Sequence, residues 1–460
     1  MLNRRRFVGA SLATCAASFA RAQTSEPAPT ILRLERRSIE VNGKAASILD
    51  IRQPDGALGI ETEIGKPFRV RVENRLNEPS LIHWHGLTPP WRQDGVPGIS
   101  SPPIAPGESA DYDFPLAFGG TFFMHSHEGL QEQLLMAAPL IIRDRQKPSQ
   151  QEFVVELSDF SFTPPEEIYA QLRKPTAMAG MTPMKMGGDA KPDLNDVKYD
   201  AFLANRRTLA DPEVVKVESG GSALLRITNS SAMSAFHIEL GELEGDLVAV
   251  DGHDVAPIRA RSFPIAVSQR LDISLTFPQG AGAYPVLATL EGERRQTGVV
   301  LVAGQAEVRR IPDLADAASA PLNLDLESRL RAIDPLAPHA ADRVHTLNLT
   351  GSMSGYQWTI NGVAWTKEVP PLPVFAGERV ELIFVNQTMM PHPMHLHGHV
   401  FQVVAINGER FAGAMRDTVI VPPKTAVTVA FDADNPGWWA LHCHLLYHLA
   451  AGMFTTIQYF

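Results

Sequence analysis

Three times along this chain of 460 residues a strand-like run closes on an asparagine, in Val72-Glu73-Asn74, Ile227-Thr228-Asn229 and Phe384-Val385-Asn386. The asparagines stand 155 and 157 residues apart, a spacing the size of one domain. Around them run short alternating stretches such as Arg69-Val70-Arg71-Val72, Leu271-Asp272-Ile273-Ser274-Leu275 and Val427-Thr428-Val429-Ala430-Phe431, broken by 36 prolines and 34 glycines. Apolar residues with a period of two between frequent turns predict β-sandwiches. The chain therefore divides into an all-β domain at 30–148, a second at 149–308 and a third at 340–460. A strap at 309–339, rich in Ala, Pro, Asp and Leu, joins the last two, with a helical turn expected near Leu326–Ile333.

The repeats differ in what they carry. Nine residues beyond Asn74 begins His83-Trp84-His85-Gly86, and nine beyond Asn386 begins His395-Leu396-His397-Gly398. The same position after Asn229 reads Ile238-Glu239-Leu240-Gly241, with the glycine kept and both histidines gone. Gly120 precedes His125-Ser126-His127 by five residues, and Gly437 precedes His442-Cys443-His444 by five, whereas Gly282 leads to Leu287-Ala288-Thr289. Each His-x-His pair sets both rings on one side of a strand. Four such pairs, confined to the outer two repeats, predict a metal site lying between the first and third domains. Of the remaining histidines, His237, His253, His339, His345 and His399 have no partner spacing and read as structural or solvated. Trp84 and Trp438–Trp439 read as packing around the ligand strands.

The run 442–453 adds a second kind of site. Cys443, His448 and Met453 supply thiolate, imidazole and thioether, the donors of a blue copper centre, which needs one further histidine. His392, three residues before His395, provides it. Because i and i+2 share a strand face and i+1 takes the other, Cys443 points away from His442 and His444. One metal bound at Cys443 is then wired covalently to a second site through both neighbours.

The first 22 residues read as a twin-arginine-type signal peptide: Arg4-Arg5-Arg6-Phe7, an apolar segment to Phe19, and a small-x-small site at Ala20-Arg21-Ala22. This predicts export to the periplasm by the twin-arginine machinery. The apolar run is shorter than the roughly 20 residues that span a bilayer, and no other run is long enough. Cys15 is a weaker, lipidation reading of the same segment. Loss of residues 1–22 removes four arginines and no acid, taking the formal charge from −10 to near −14. Such an acidic chain is a poor nucleic-acid binder. Of two cysteines only Cys443 then remains, which excludes an intramolecular disulfide and leaves a thiol that metal ligation would protect.

Together the four motifs, His-Trp-His-Gly, His-Ser-His, His-Pro-Met-His-Leu-His-Gly and His-Cys-His-x3-His-x4-Met, make the chain resemble a three-domain multicopper oxidase, the family of laccases, ascorbate oxidase and bacterial copper-tolerance oxidases. The resemblance covers the whole mature chain. It implies three consecutive cupredoxin-like Greek-key domains and four copper ions. By position it implies type 1 ligands His392, Cys443, His448 and Met453, and type 2 ligands His83 and His395. The type 3 pair would take His85, His125, His127, His397, His442 and His444. It implies that electrons enter singly at the type 1 copper, through the edge of His392, and pass by Cys443 to His442 and His444. There dioxygen would be reduced by four electrons to water. Asp94, in Gln93-Asp94-Gly95, matches the acidic residue that handles protons near the type 2 copper. Bacterial relatives place a glutamate directly after the last type 1 histidine, where this chain has Leu449, so a second proton donor is left open.

The reductant is approached through Met178, Met181, Met184 and Met186, thioethers that select Cu(I). Met389, Met390 and Met394 around His392 point the same way. The wording His-Ser-His-Glu-Gly-Leu-Gln-Glu-Gln and His-Cys-His-Leu-Leu-Tyr-His is similar to the bacterial copper-resistance CopA type. The expected activity is a cuprous oxidase in copper tolerance. Its alternatives are a laccase-like oxidase of phenols or aromatic amines, and a non-catalytic copper-binding protein on the same fold.

Overall fold

The computed structural model describes residues 28–144, 146, 150–174 and 194–460. The leader 1–22 with Cys15, and Met178, Met181, Met184 and Met186, lie outside the described residues. The architecture is all-β, with three cupredoxin-like sandwiches in succession. In the first, a sheet ordered Lys44–Arg52, Thr30–Val41, Phe68–Asn74, Ser109–Phe114 faces one ordered Ile60–Glu63, Ala137–Arg143, Gly120–Ser126, Ile82–His85. The middle sandwich has sheets of six and five strands, and the last has seven and five.

Strand chemistry explains the layering. Along Phe68–Asn74, Phe68, Val70 and Val72 are buried while Arg69 and Arg71 face out, opposite Asp113 and Asp111 on the neighbouring strand. Their guanidiniums reach those carboxylates at 2.8 and 2.7 Å, a cross-strand pairing that fixes register more than it stabilises. The first domain closes on its own apolar core. The middle and last share one continuous core, from Phe153 to Ile457.

The repeated asparagine has one job in all three domains. Each ends a strand that pairs in parallel with the domain's first strand, so that Asn74, Asn229 and Asn386 lie opposite Leu34, Leu157 and Leu349. Each is buried, and its carboxamide oxygen accepts the N–H two residues on, from Leu76, Ser231 and Thr388. Its Nδ2 donates to the carbonyls of Glu78, Ser234 and Met390 at 2.9, 2.8 and 2.7 Å. This Asx turn closes the loop that delivers the next strand, which is the ligand strand in the outer domains. In the middle domain Ile238 pairs with Ala288, where His83 pairs with His125 and His395 with His442. The structure therefore sets Ala288, one residue past the Leu287 that glycine spacing points to, at the lost ligand position. The middle site is filled with apolar side chains.

The strap is tied down along its length. Its helix, Asp325–Arg329, is one turn and ends where Leu330 turns extended, short of the span to Ile333 that the sequence suggests. Beyond it Ala256 N–H donates to Arg331 O and Ile333 N–H to Asp254 O. Earlier in the strap, Leu322 N–H donates at 2.6 Å to the buried carboxyl of Glu291, which burial pushes up to about 7. A carboxyl whose pKa is raised in the fold stabilises it fully below the unfolded-state pKa and stops doing so as pH rises through the folded value. The parent should thus lose stability between about pH 5 and about pH 8, and Glu291→Gln should flatten that decline. Parallel denaturation midpoints for the two proteins across that range would refute the assignment.

Candidate metal centre

Eight imidazoles converge where the first and third domains meet. His83, His85, His125 and His127 come from the first, and His395, His397, His442 and His444 from the third. The Nε2 atoms of His83 and His395 are 3.4 Å apart, and those of His125 and His444 3.3 Å. His442 Nε2 lies 2.9 Å from that of His397 and 3.3 Å from that of His127. Burial, reinforced by neighbouring rings, holds His85, His125, His127, His395, His397 and His444 well below the ordinary imidazole range. The same burial lowers His442 to about 4. Neutral rings with facing nitrogens and too few protons to share between them present lone pairs to a common centre, the arrangement that a bound cation satisfies.

The outward nitrogens explain this aim. Nδ1 of His83, His125, His395 and His442 donates to the carbonyls of Asp94, Ser126, Asp417 and Cys443 at 2.9 to 3.0 Å. His397 Nδ1 takes Asp94 Oδ2 at 2.9 Å, and Asp94 Oδ1 lies 3.2 Å from His83 Nδ1. Asp94 is buried and spans one ring from each domain. Gly95 allows this, since its φ is +84° and a Cβ there would fall 1.9 Å from Ile82 O on the ligand strand. His85 is reversed. Its Nε2 meets Asp417 Oδ1 at 3.0 Å and Thr418 Oγ1 at 3.2 Å, leaving Nδ1 inward.

Beside these rings lies a cavity of about 20 Å³ bounded by His125, His127, Glu132, His442, His444 and Leu449, among others. That is room for a single water-sized molecule. Glu132 Oε2 is 3.6 Å from His125 Nδ1, and Oε1 is 3.8 Å from His444 Nδ1. Burial, with the Asp159 charge adding, pushes the Glu132 carboxyl well above its ordinary range and so favours its protonated form.

Cys443 points to the opposite side of its strand. Its Sγ lies 3.6 Å from His392 Nδ1 and 3.8 Å from His448 Nδ1, and those nitrogens are 3.2 Å apart. Backbone bonds close the loop, with Cys443 N–H on Met453 O and Met453 N–H on His448 O. The Met453 side chain is buried in the same core. Burial pushes the thiol far up, so a thiolate forms here only with a cation bound.

Two readings need correction. His392 does not offer an edge for electron entry: it is fully buried, and its Nε2 meets Thr388 Oγ1 at 2.8 Å, a hydroxyl held by the Asn386 turn. The outer edge of His448 instead meets Asp196 Oδ2 at 3.0 Å, to which the Tyr356 hydroxyl also donates, while Trp358 stacks on the His448 ring at 4.1 Å. Of the methionines near His392, Met390 and Met394 are core residues, Met394 directly across from Cys443, and Met389 is half-buried, so two of the three are closed to an incoming ion. His399 braces His397 O and the Tyr459 hydroxyl, and Trp84 packs on Phe68 and Tyr112, as structural residues.

Thr388, Asp196, Glu132, Asp417 and Arg270 were not legible as site residues. They are ordinary residue types that carry no motif, and Asp196, Asp417 and Arg270 reach the histidines they serve from other domains.

Multicopper oxidase family models match residues 54–147, 151–304 and 339–459. The chain belongs to the multicopper oxidase family. It is 31% identical over 474 residues to multicopper oxidase MmcO of Mycobacterium tuberculosis, covering 98% of this chain and 91% of that one. To copper resistance protein A of Escherichia coli it is 27% identical, covering 86% of each. The crystal structure of Fet3p, a multicopper oxidase that functions in iron import, superposes with a TM-score of 0.79 at 20% identity, over 93% of this chain and 90% of that one. The chain is thus an oxidoreductase that uses dioxygen and a reducing substrate, with copper as its metal. Among the described residues no helix is long and apolar enough to cross a membrane.

Proposed function

We propose that this protein is an exported cuprous oxidase that couples one-electron oxidation of Cu(I) at a type 1 site to four-electron reduction of dioxygen at a trinuclear cluster. The observation that carries it is the pairing of a Cys443–His392–His448 site with a group of eight imidazoles that includes both neighbours of the same cysteine, His442 and His444. The donor set fits copper: a thiolate and imidazoles, most of them oriented by an outer partner. His392, Cys443, His448 and Met453 would hold the type 1 ion, and His83 and His395 the type 2 ion. His85, His125, His127, His397, His442 and His444 would hold the type 3 pair. Four bound coppers would supply the one-electron couple and the site of dioxygen reduction.

The remaining steps belong to the chain. His442 and His444 flank Cys443, so an electron that reaches the thiolate has two through-bond routes of one peptide each. Asp94 orients His83 and His397. Glu132 holds a proton beside His125 and His444, in the cavity that Leu449 also lines, and fills the role of the glutamate absent at Leu449. Asp196 and Tyr356 close the outer edge of His448 to a planar phenol, and the buried Asp196 carboxylate sets a negative charge between that ring and the surface. Thioethers select Cu(I), and Met178, Met181, Met184 and Met186 supply four of them within nine residues; similarity to a copper resistance protein supports the same reading. The leader at 1–22 directs the chain to the periplasm in this reading.

Oxygen uptake by copper-loaded protein, with stabilised Cu(I) and separately with a dimethoxyphenol, tests it. Fast Cu(I) turnover that collapses when 178–186 is deleted is expected. Good phenol turnover with slow, deletion-insensitive Cu(I) oxidation would leave a laccase. No uptake with either donor would remove the oxidase reading.

A further inference from the structure

The middle domain gives the cluster no ligand, yet it sends one fully buried cation to it. Arg270 donates through Nη1 to Asp417 Oδ1 at 2.8 Å and also pairs Nη2 with Asp417 Oδ2. Asp417 Oδ1 in turn accepts from His85 Nε2, and the Asp417 carbonyl accepts from His395 Nδ1. Behind Arg270 the charges alternate. Its backbone N–H donates to Asp251 Oδ1 at 2.9 Å, Arg416 Nη1 donates to Asp251 Oδ2 at 3.0 Å, and Arg416 Nε to Glu327 Oε2 at 2.9 Å. Glu327, Arg416, Asp251, Arg270 and Asp417 are all buried, and come from the strap, the last domain and the middle domain. A chain of this kind is stable only when complete, because each charge removed strands another away from water.

We infer that Arg270 is a positioning residue for the trinuclear site, fixing through Asp417 which nitrogen of His85 faces the metal. A carboxylate held in the two-pronged grip of a guanidinium can only accept, so the His85 proton sits on Nε2 and the lone pair on Nδ1. That Nδ1 has no hydrogen-bond partner among the described residues, and it is the nitrogen aimed at the cluster. Gly86 leaves room for the grip, since a Cβ there would fall 2.6 Å from Arg270 Nη2 and 2.7 Å from Asp417 Oδ2. The domain without ligands, and the strap through Glu327 and Arg416, thereby complete the copper site of the other two. Outer partners of metal-bound histidines control affinity by about 10- to 100-fold.

The inference rests on the trinuclear reading above, and its test separates the two. Arg270→Lys keeps the charge and loses the fork. Arg226→Lys is the control, a buried cation of the same domain that bonds Asp272, Glu152 and Thr121 and hydrogen-bonds no histidine among the described residues. Arg270→Lys should release cluster copper to a chelator about tenfold faster than the parent, with the blue band kept, while Arg226→Lys should match the parent. In copper-free protein, ring-nitrogen NMR should find His85 as one tautomer in the parent and as a mixture in Arg270→Lys. Parent-like copper retention with a single tautomer in Arg270→Lys, or equal copper loss in Arg226→Lys, would overturn the inference. A parent that binds fewer than four coppers would defeat the trinuclear reading, and the copper-free tautomers would still decide the role of Arg270.

Discussion

Cys443→Ser should erase the blue absorption, leave one copper fewer per chain and lower oxidase turnover on the order of a thousandfold or more, as removal of one member of an interdependent catalytic set does. The substitution changes little volume, so the strand Trp438–Cys443 and the shared core should survive. What it removes is the soft donor: a serine hydroxyl does not replace a thiolate for Cu(I). His442 and His444 keep their backbone, and His442 keeps its bond to the residue 443 carbonyl, so cluster copper should stay. Optical and copper measurements on one sample separate the effects. Residual turnover within tenfold of the parent would mean that electrons reach the cluster by another route.

Glu132→Gln should lower turnover by about 10²-fold, at the bottom of the range for a positioned proton donor, with all copper retained. The sign of the pH dependence follows from the raised carboxyl. The parent has the proton to give below its pKa and loses it above, so turnover should fall on the alkaline side, and the glutamine variant should lack that limb. Because Leu449 lines the same cavity, Leu449→Glu added to Glu132→Gln should restore part of the rate. Unchanged kinetics in Glu132→Gln, or copper loss matching its rate loss, would show that the carboxyl only braces His125 and His444.

The convergence of the histidines, and of Cys443 with its two, was readable in the sequence because strand geometry is local. His-x-His sets two rings on one face and His-Cys-His sets the sulfur on the other, whatever the rest of the chain does. The asparagine repeat was readable too, since the Asx turn it forms spans a few residues. What escaped, Asp94 apart, was the set of side chains that the outer nitrogens bind. Asp417 is 332 residues from His85 and Asp196 is 252 from His448, and no periodicity marks either. The expectation of an exposed His392 edge failed for a different reason: the ring is capped by Thr388, only four residues away, a hydroxyl no motif singles out. Glu132 stands five residues beyond His127, but its proximity to His444 is a matter of how the outer domains dock.

That docking has a thermodynamic corollary. The cluster histidines divide evenly between two sandwiches, so neither alone can assemble the site, and whatever binds all eight binds the docked pair more tightly than the parted one. By reciprocity the metal then works as a non-covalent staple, strengthening the interface by the free energy that docking contributes to metal affinity. Stripped of copper, the chain should come apart first along this seam, while the last sandwich, which contains all of its own Cys443 site, should hold together longer.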